Sequence, residues 1–188
     1  MLILPRIFGN FSPHSLWKFI VSNKKASLIA IIVVVIVFMI YDRFKPLSEE
    51  KLISKRGIAT VYLDNSYKNI DSTNAPEGTL LAQYSPRHKL SVLINGGHLT
   101  QDEAALSLEA YVDLLVKDAP TNSQLTILNI DRENQEVYYT LVVPEALYSW
   151  QRLKLEGDTM TVISAVSETA EPTLDPMKIL TKAQFGSH

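Results

Sequence analysis

Three regimes of hydrophobic and polar positions follow one another along the chain. Residues 26–41, "ASLIAIIVVVIVFMIY", form an apolar run whose only polar member is Ser27. From residue 57 onward the apolar positions come in short strand-like runs separated by turn residues. Two stretches depart from that rhythm and carry apolar positions at helical spacing, 100–119 and 175–185.

Strands are predicted at "GIATVYLD" (57–64), closed by Asp64-Asn65-Ser66, and at "GTLLAQYS" (78–85) and "KLSVLING" (89–96) around Pro86-Arg87-His88. Four more follow: "SQLTILNID" (123–131), "QEVYYTLVV" (135–143), "LYSWQRLKL" (147–155) and "TMTVISAVS" (159–167). The loops between these four are short, which predicts an antiparallel meander. Between the two sets, "LTQDEAALSLEAYVDLLVKDAP" reads as one long helix. Thr100 and Glu103 have capping-box spacing, Ala104, Leu108, Tyr111, Val112 and Leu115 form a stripe, and Pro120 stops it. Asp175 caps a last helix opened by Pro176, with Met177, Leu180 and Phe185 on one side. "NGGH" (95–98) reads as a strand-to-helix turn. The fold class expected is α+β: an antiparallel sheet flanked by one long central helix and a C-terminal helix, plus an N-terminal transmembrane helix.

The run at 26–41 would make about 24 Å of helix against a hydrocarbon core of about 30 Å. Snorkelling by Lys24 and Lys25 and the interfacial ring of Tyr41 make up the difference. No small residue follows the run before Pro46, so an uncleaved anchor is expected. Upstream, Ser12 and Pro13 open a short helix suited to the headgroup region, with Trp17 as its anchor. The organisation expected is therefore a tail at 1–23, a transmembrane helix at 24–45, a polar linker at 46–56 and an α+β domain at 57–185; residues 186–188 are consistent with a tag remnant. The Lys pair abutting the span and the shortness of the tail favour a cytoplasmic N-terminus. That puts the domain on the periplasmic side of a bacterial inner membrane.

With "LSLEAYVDLL" (106–115) and "PMKILTKAQF" (176–185) in this order of elements, residues 57–185 resemble the PsbP-like and DcrB-like group of small α+β domains. Members of that group are mostly accessory or assembly proteins. The resemblance implies such a role and brings no catalytic residues.

Composition narrows the chemistry. A net charge of −2 over 188 residues gives no basic footprint for nucleic acid. The absence of cysteine removes disulfides, thiolate metal sites and a thiol nucleophile. The four histidines are scattered, and no hydrolase, phosphate-loop or dinucleotide signature is present. No catalytic residue, cofactor, metal or small-molecule substrate is expected. Tyr138 and Tyr139 must face opposite ways on a regular strand, which leaves one outside to join Tyr148 and Trp150 in a partner-contact patch. The function expected is a single-pass, non-enzymatic accessory or assembly subunit of an envelope complex, touching membrane lipid and other envelope proteins. The alternative is an immunity or exclusion protein acting against a toxin or phage.

Overall fold

Period-two runs joined by tight turns generate one broad sheet and a second, small one. The computed structural model describes residues 35, 48–70, 78–144 and 147–186. The chain divides into two units, Met1–Pro46 and Leu47–His188, and every element below belongs to the second. The anchor residues Trp17, Lys24, Lys25 and Tyr41 lie outside the described residues, as does the 24–45 span apart from Val35. Among the described residues no helix is long and apolar enough to cross a membrane.

The strands are β1 (Glu49–Ile53), β2 (Ala59–Asp64), β3 (Lys68–Asn69), β4 (Thr79–Ser85), β5 (Leu90–His98), β6 (Gln124–Asp131), β7 (Glu136–Val143), β8 (Leu147–Glu156), β9 (Thr159–Ser167) and β10 (Gln184–Phe185). Helices are α1 (Gln101–Ala104), α2 (Leu108–Lys117) and α3 (Pro176–Lys182). Seven strands form the large sheet in the order β3-β4-β5-β9-β8-β7-β6, and β1-β2-β10 form a small one. All pairings are antiparallel. The β6–β9 meander is as expected, and β9 joins it to the β4–β5 hairpin through the register Leu90↔Ser167 to His98↔Thr159.

Alternation on this sheet builds two cores on opposite faces. Ile163 and Val162 are neighbours on β9 and belong to different cores. On the first face Leu90, Val92, Ile94, Ile163 and Ala165 pack under the small sheet (Val61, Leu63) and α3 (Ile179, Leu180). On the second face Val137, Tyr139, Leu153 and Val162 pack with α2, through Leu108, Tyr111 and Val112.

Four sequence expectations are corrected. Residues 49–53, assigned to a polar linker, are β1, in register from Glu49↔Asp64 to Ile53↔Thr60. Pairing with β2 satisfies the backbone groups on their inner edge, and Leu52 turns inward against the first core. The single long helix is two short ones. The Thr100–Glu103 capping box forms, but it caps only the single turn of α1. Ser107 then opens α2 with its own cap, its hydroxyl accepting the Ala110 N–H at 3.3 Å. Ala104 is consequently exposed, outside the buried stripe. The Gly96-Gly97 turn is absent, because β5 runs on to His98. Glycine at 96 lets Leu80 lie close: a Cβ there would stand 2.9 Å from Leu80 Cδ1, so a side chain would require Leu80 to shift. Phe185 belongs to β10, because the chain leaves α3 at Ala183 in an extended conformation. Gly186 extends that path, its N–H donating to the Ile58 carbonyl at 2.8 Å.

Candidate functional site

The β7–β8 register decides which aromatic residues meet. Tyr138 pairs with Arg152, Thr140 with Trp150 and Val142 with Tyr148, so Tyr138, Trp150 and Tyr148 share the first face. Tyr148 and Trp150 stack at 6.5 Å between centroids with 29° between planes. All three are half-buried, and Trp150 rests partly against the first core. Tyr139 does not belong with them. It sits on the second face, 5% exposed, and its hydroxyl donates to Gln151 Oε1 at 2.6 Å. Of the four candidates Tyr138, Tyr139, Tyr148 and Trp150, Tyr138 is thus the tyrosine that joins the row, and Tyr139 is core. Burial pushes the Tyr139 phenol up, and the Tyr138 phenol less strongly.

Arg152 closes one end of this row, and sequence reasoning missed it. Its guanidinium stands 2.8 Å from Glu136 Oε2, both side chains being almost fully buried. Nη1 donates to the carbonyls of Leu180 at 2.8 Å and Ala183 at 2.7 Å, the open C-terminal end of α3. The same group lies 5.3 Å from the Tyr138 ring centroid and 4.9 Å from that of Phe185. One cation thus holds a buried carboxylate, a helix terminus and two rings. A charged pair at inward strand positions was the available signal, but only the hairpin register makes it readable.

A second missed cluster ties three loops together. His88 Nε2 lies 2.8 Å from Asp64 Oδ2, and Nδ1 is 3.4 Å from Thr173 Oγ1. The imidazole leans on the Tyr67 ring at 5.9 Å. Ser66 and Ser85 share a hydrogen bond of 2.6 Å beside it, and Ser85 Oγ accepts the His88 N–H at 3.2 Å. Burial works to raise the Asp64 carboxyl. Hydrogen bonds from Ser66 and His88 outweigh it and hold the group below its usual range. Burial pushes the neighbouring Tyr67 phenol up, and its buried hydroxyl has no partner among the described residues. The sequence reading of Arg87-His88-Lys89 as a basic hairpin tip holds for Arg87 and Lys89, which are exposed, and fails for His88, which is turned inward.

The third feature is a cleft of about 240 Å³ on the second face, between α2 and the meander. Leu114, Leu115, Leu125 and Leu141 give it apolar walls. Tyr139 and Gln151 also line it, and Asp118 and Glu103 supply its carboxylates. Among the described residues no group of three or more His, Asp or Glu side chains could hold a metal ion.

No family model matches the chain, and no curated protein sequence matches it. Among solved structures the chain is similar to cyanobacterial PsbP (CyanoP) from Synechocystis sp. PCC 6803, with 9% identity, 76% of this chain and 95% of that one covered, and a TM-score of 0.49. It is also similar to the Saccharomyces cerevisiae Ran-binding protein Mog1p, with 9% identity, coverage of 74% and 96%, and a TM-score of 0.49. Likeness at this level carries no argument about activity or partners.

Proposed function

We propose that this chain is a non-enzymatic accessory or assembly subunit of a bacterial envelope complex. In this reading residues 24–45 anchor it in the inner membrane, the N-terminus is cytoplasmic, and the α+β domain is periplasmic and binds other envelope proteins. The observation that carries the reading is the half-open row Tyr138–Trp150–Tyr148, on a domain whose buried charges are consumed internally by Arg152–Glu136 and His88–Asp64. Large rings with one open side are the side chains that anchor protein interfaces. The apolar run at 26–41, with Ser27 as its only polar member, supports the anchor.

Two experiments test it. Gentle detergent extraction of the full chain is expected to recover it with other membrane proteins, and Tyr148→Ser with Trp150→Ser is expected to weaken that association while the sheet stays folded. Recovery as a lone monomer from several mild detergents would overturn the reading. For topology, Glu133→Cys places a thiol on the exposed β6–β7 turn of a chain that has none. Labelling by an impermeant reagent in intact spheroplasts is expected; labelling only after lysis would reverse the orientation.

A further inference from the structure

We infer that the cleft beneath α2 takes an arginine side chain from the partner protein, stem inward and guanidinium toward Asp118. The inference rests on the protein-binding reading above and deepens it.

Size argues first. Pockets that enclose a drug-sized ligand or cofactor run to ~300–1,000 Å³, and this one holds about 240 Å³. A single long side chain suits it better than a bound cofactor. The walls argue next. Leu114 and Leu115 come from α2 and Leu125 and Leu141 from the sheet, so the interior is apolar on two opposed sides. The uncharged polar groups of the lining are engaged with near neighbours: Tyr111 donates to Met160 Sδ at 2.9 Å, and Tyr139 and Gln151 are bonded to each other. Tyr139 donates to Gln151 Oε1 at 2.6 Å, and Gln151 Nε2 donates to Ser149 Oγ at 2.9 Å. A methylene stem fits there without disturbing these bonds.

Charge selects the head group. Asp118 is the C-cap of α2, where its carboxylate adds to the negative end of the helix dipole. That end normally recruits a cation. Among the described residues the Asp118 side chain makes no hydrogen bond or ion pair, and neighbouring Lys117 is exposed and does not line the cleft. Glu103 adds a second carboxylate, bound through Oε2 to Thr100. A phosphate-bearing lipid or nucleic acid would be repelled by these two acids. Arginine is favoured over lysine because its guanidinium is flat, weakly hydrated and able to lie against the Tyr111 ring that lines the same cleft.

The test uses the ¹⁵N-labelled full chain in detergent micelles and two probes, acetyl-arginine methylamide and acetyl-citrulline methylamide. Citrulline keeps the shape and removes the charge. The arginine probe is expected to shift the amides of Leu114, Leu115, Leu125 and Leu141 saturably, and the citrulline probe to bind about fivefold more weakly. Asp118→Asn should bring arginine down to the citrulline level. Asp113→Asn removes a charge from the same helix outside the cleft lining and should leave binding unchanged. Shifts that are absent, scattered or equal for the two probes would overturn the inference, as would equal losses in the two variants. The outcome is separable from the parent reading. A chain that co-purifies with partners yet ignores the arginine probe defeats the cleft alone. A chain that binds the probe yet purifies as a monomer defeats the accessory-subunit role alone.

Discussion

The two faces of the large sheet are built from the same strands and end up with opposite characters. The first is closely packed at its centre, with the row Tyr138–Trp150–Tyr148 left half-buried beside it. Leu90, Val92, Ile94, Ile163 and Leu180 reach zero exposure there, and its charges are clamped to helix ends and loops. The second is covered by the ten residues of α2, leaves a cleft beside them, and keeps a free carboxylate at its mouth. The difference follows from what each face has available to cover it. Three elements converge on the first face (β2, β10 and α3), and Arg152 ties α3 and β10 to the sheet. One short helix serves the second. Stability is concentrated where several elements meet, and a cleft is left where one element spans a wide face.

The sharpest way to break the comparison is Arg152→Ala. It strands Glu136 in a buried site and uncaps α3, and should cost about 3–5 kcal/mol. Urea unfolding of the full chain in micelles, followed by near-UV circular dichroism, would measure it. A loss under about 1 kcal/mol would mean that the clamp does not hold the first face.

Matched truncations compare the faces directly. Leu180→Ala, at zero exposure, should cost about 3 kcal/mol, whereas Leu115→Ala, half-buried beside an existing cleft, should cost about 1 kcal/mol. Equal losses by thermal or chemical unfolding would erase the distinction.

Next in size is Asp64, which belongs to the more closely packed face and carries a pH signature. Its folded pKa lies below the unfolded value, so its contribution is fully present above about pH 4 and disappears as pH falls through the folded value. Asp64→Asn should lower stability by about 2 kcal/mol at neutral pH. The gap between the two stability curves should close below about pH 4. A gap that persists at pH 2 would assign the loss to packing instead.

The smallest effect is expected at the rim. Lys182 lies 2.5 Å from Glu49, but both side chains are about half exposed. Lys182→Met should change stability by less than about 1 kcal/mol, and added salt should shrink even that.

Much of the fold was legible in local pattern. The seven longest strands stand within two residues of where alternation and turn residues put them, and the Asp175-Pro176 helix start is where capping chemistry requires it. Local signals misled where they were equally satisfied by two outcomes. Thr100–Glu103 fits a long helix as well as a single turn, and only Ser107 capping a second start separates the two. Lys51 and its neighbours look like linker until β2 offers a partner.

The candidate sites were much less readable. Tyr138, Tyr148 and Trp150 could be grouped because they sit on one hairpin, whose spacing sets the register. His88 and Asp64 are 24 residues apart, and Arg152 reaches carbonyls 28 and 31 residues away. By itself the sequence determined the α+β class, the run of strands and the apolar segment at 26–41, because period, turn chemistry and hydrophobicity act over a few neighbouring residues. Only the tertiary structure decided which face Tyr139 takes, that His88 is buried, and that α2 leaves a cleft ending in a free carboxylate. Those outcomes depend on strand order and on which element lands over which face, and distant segments settle them together.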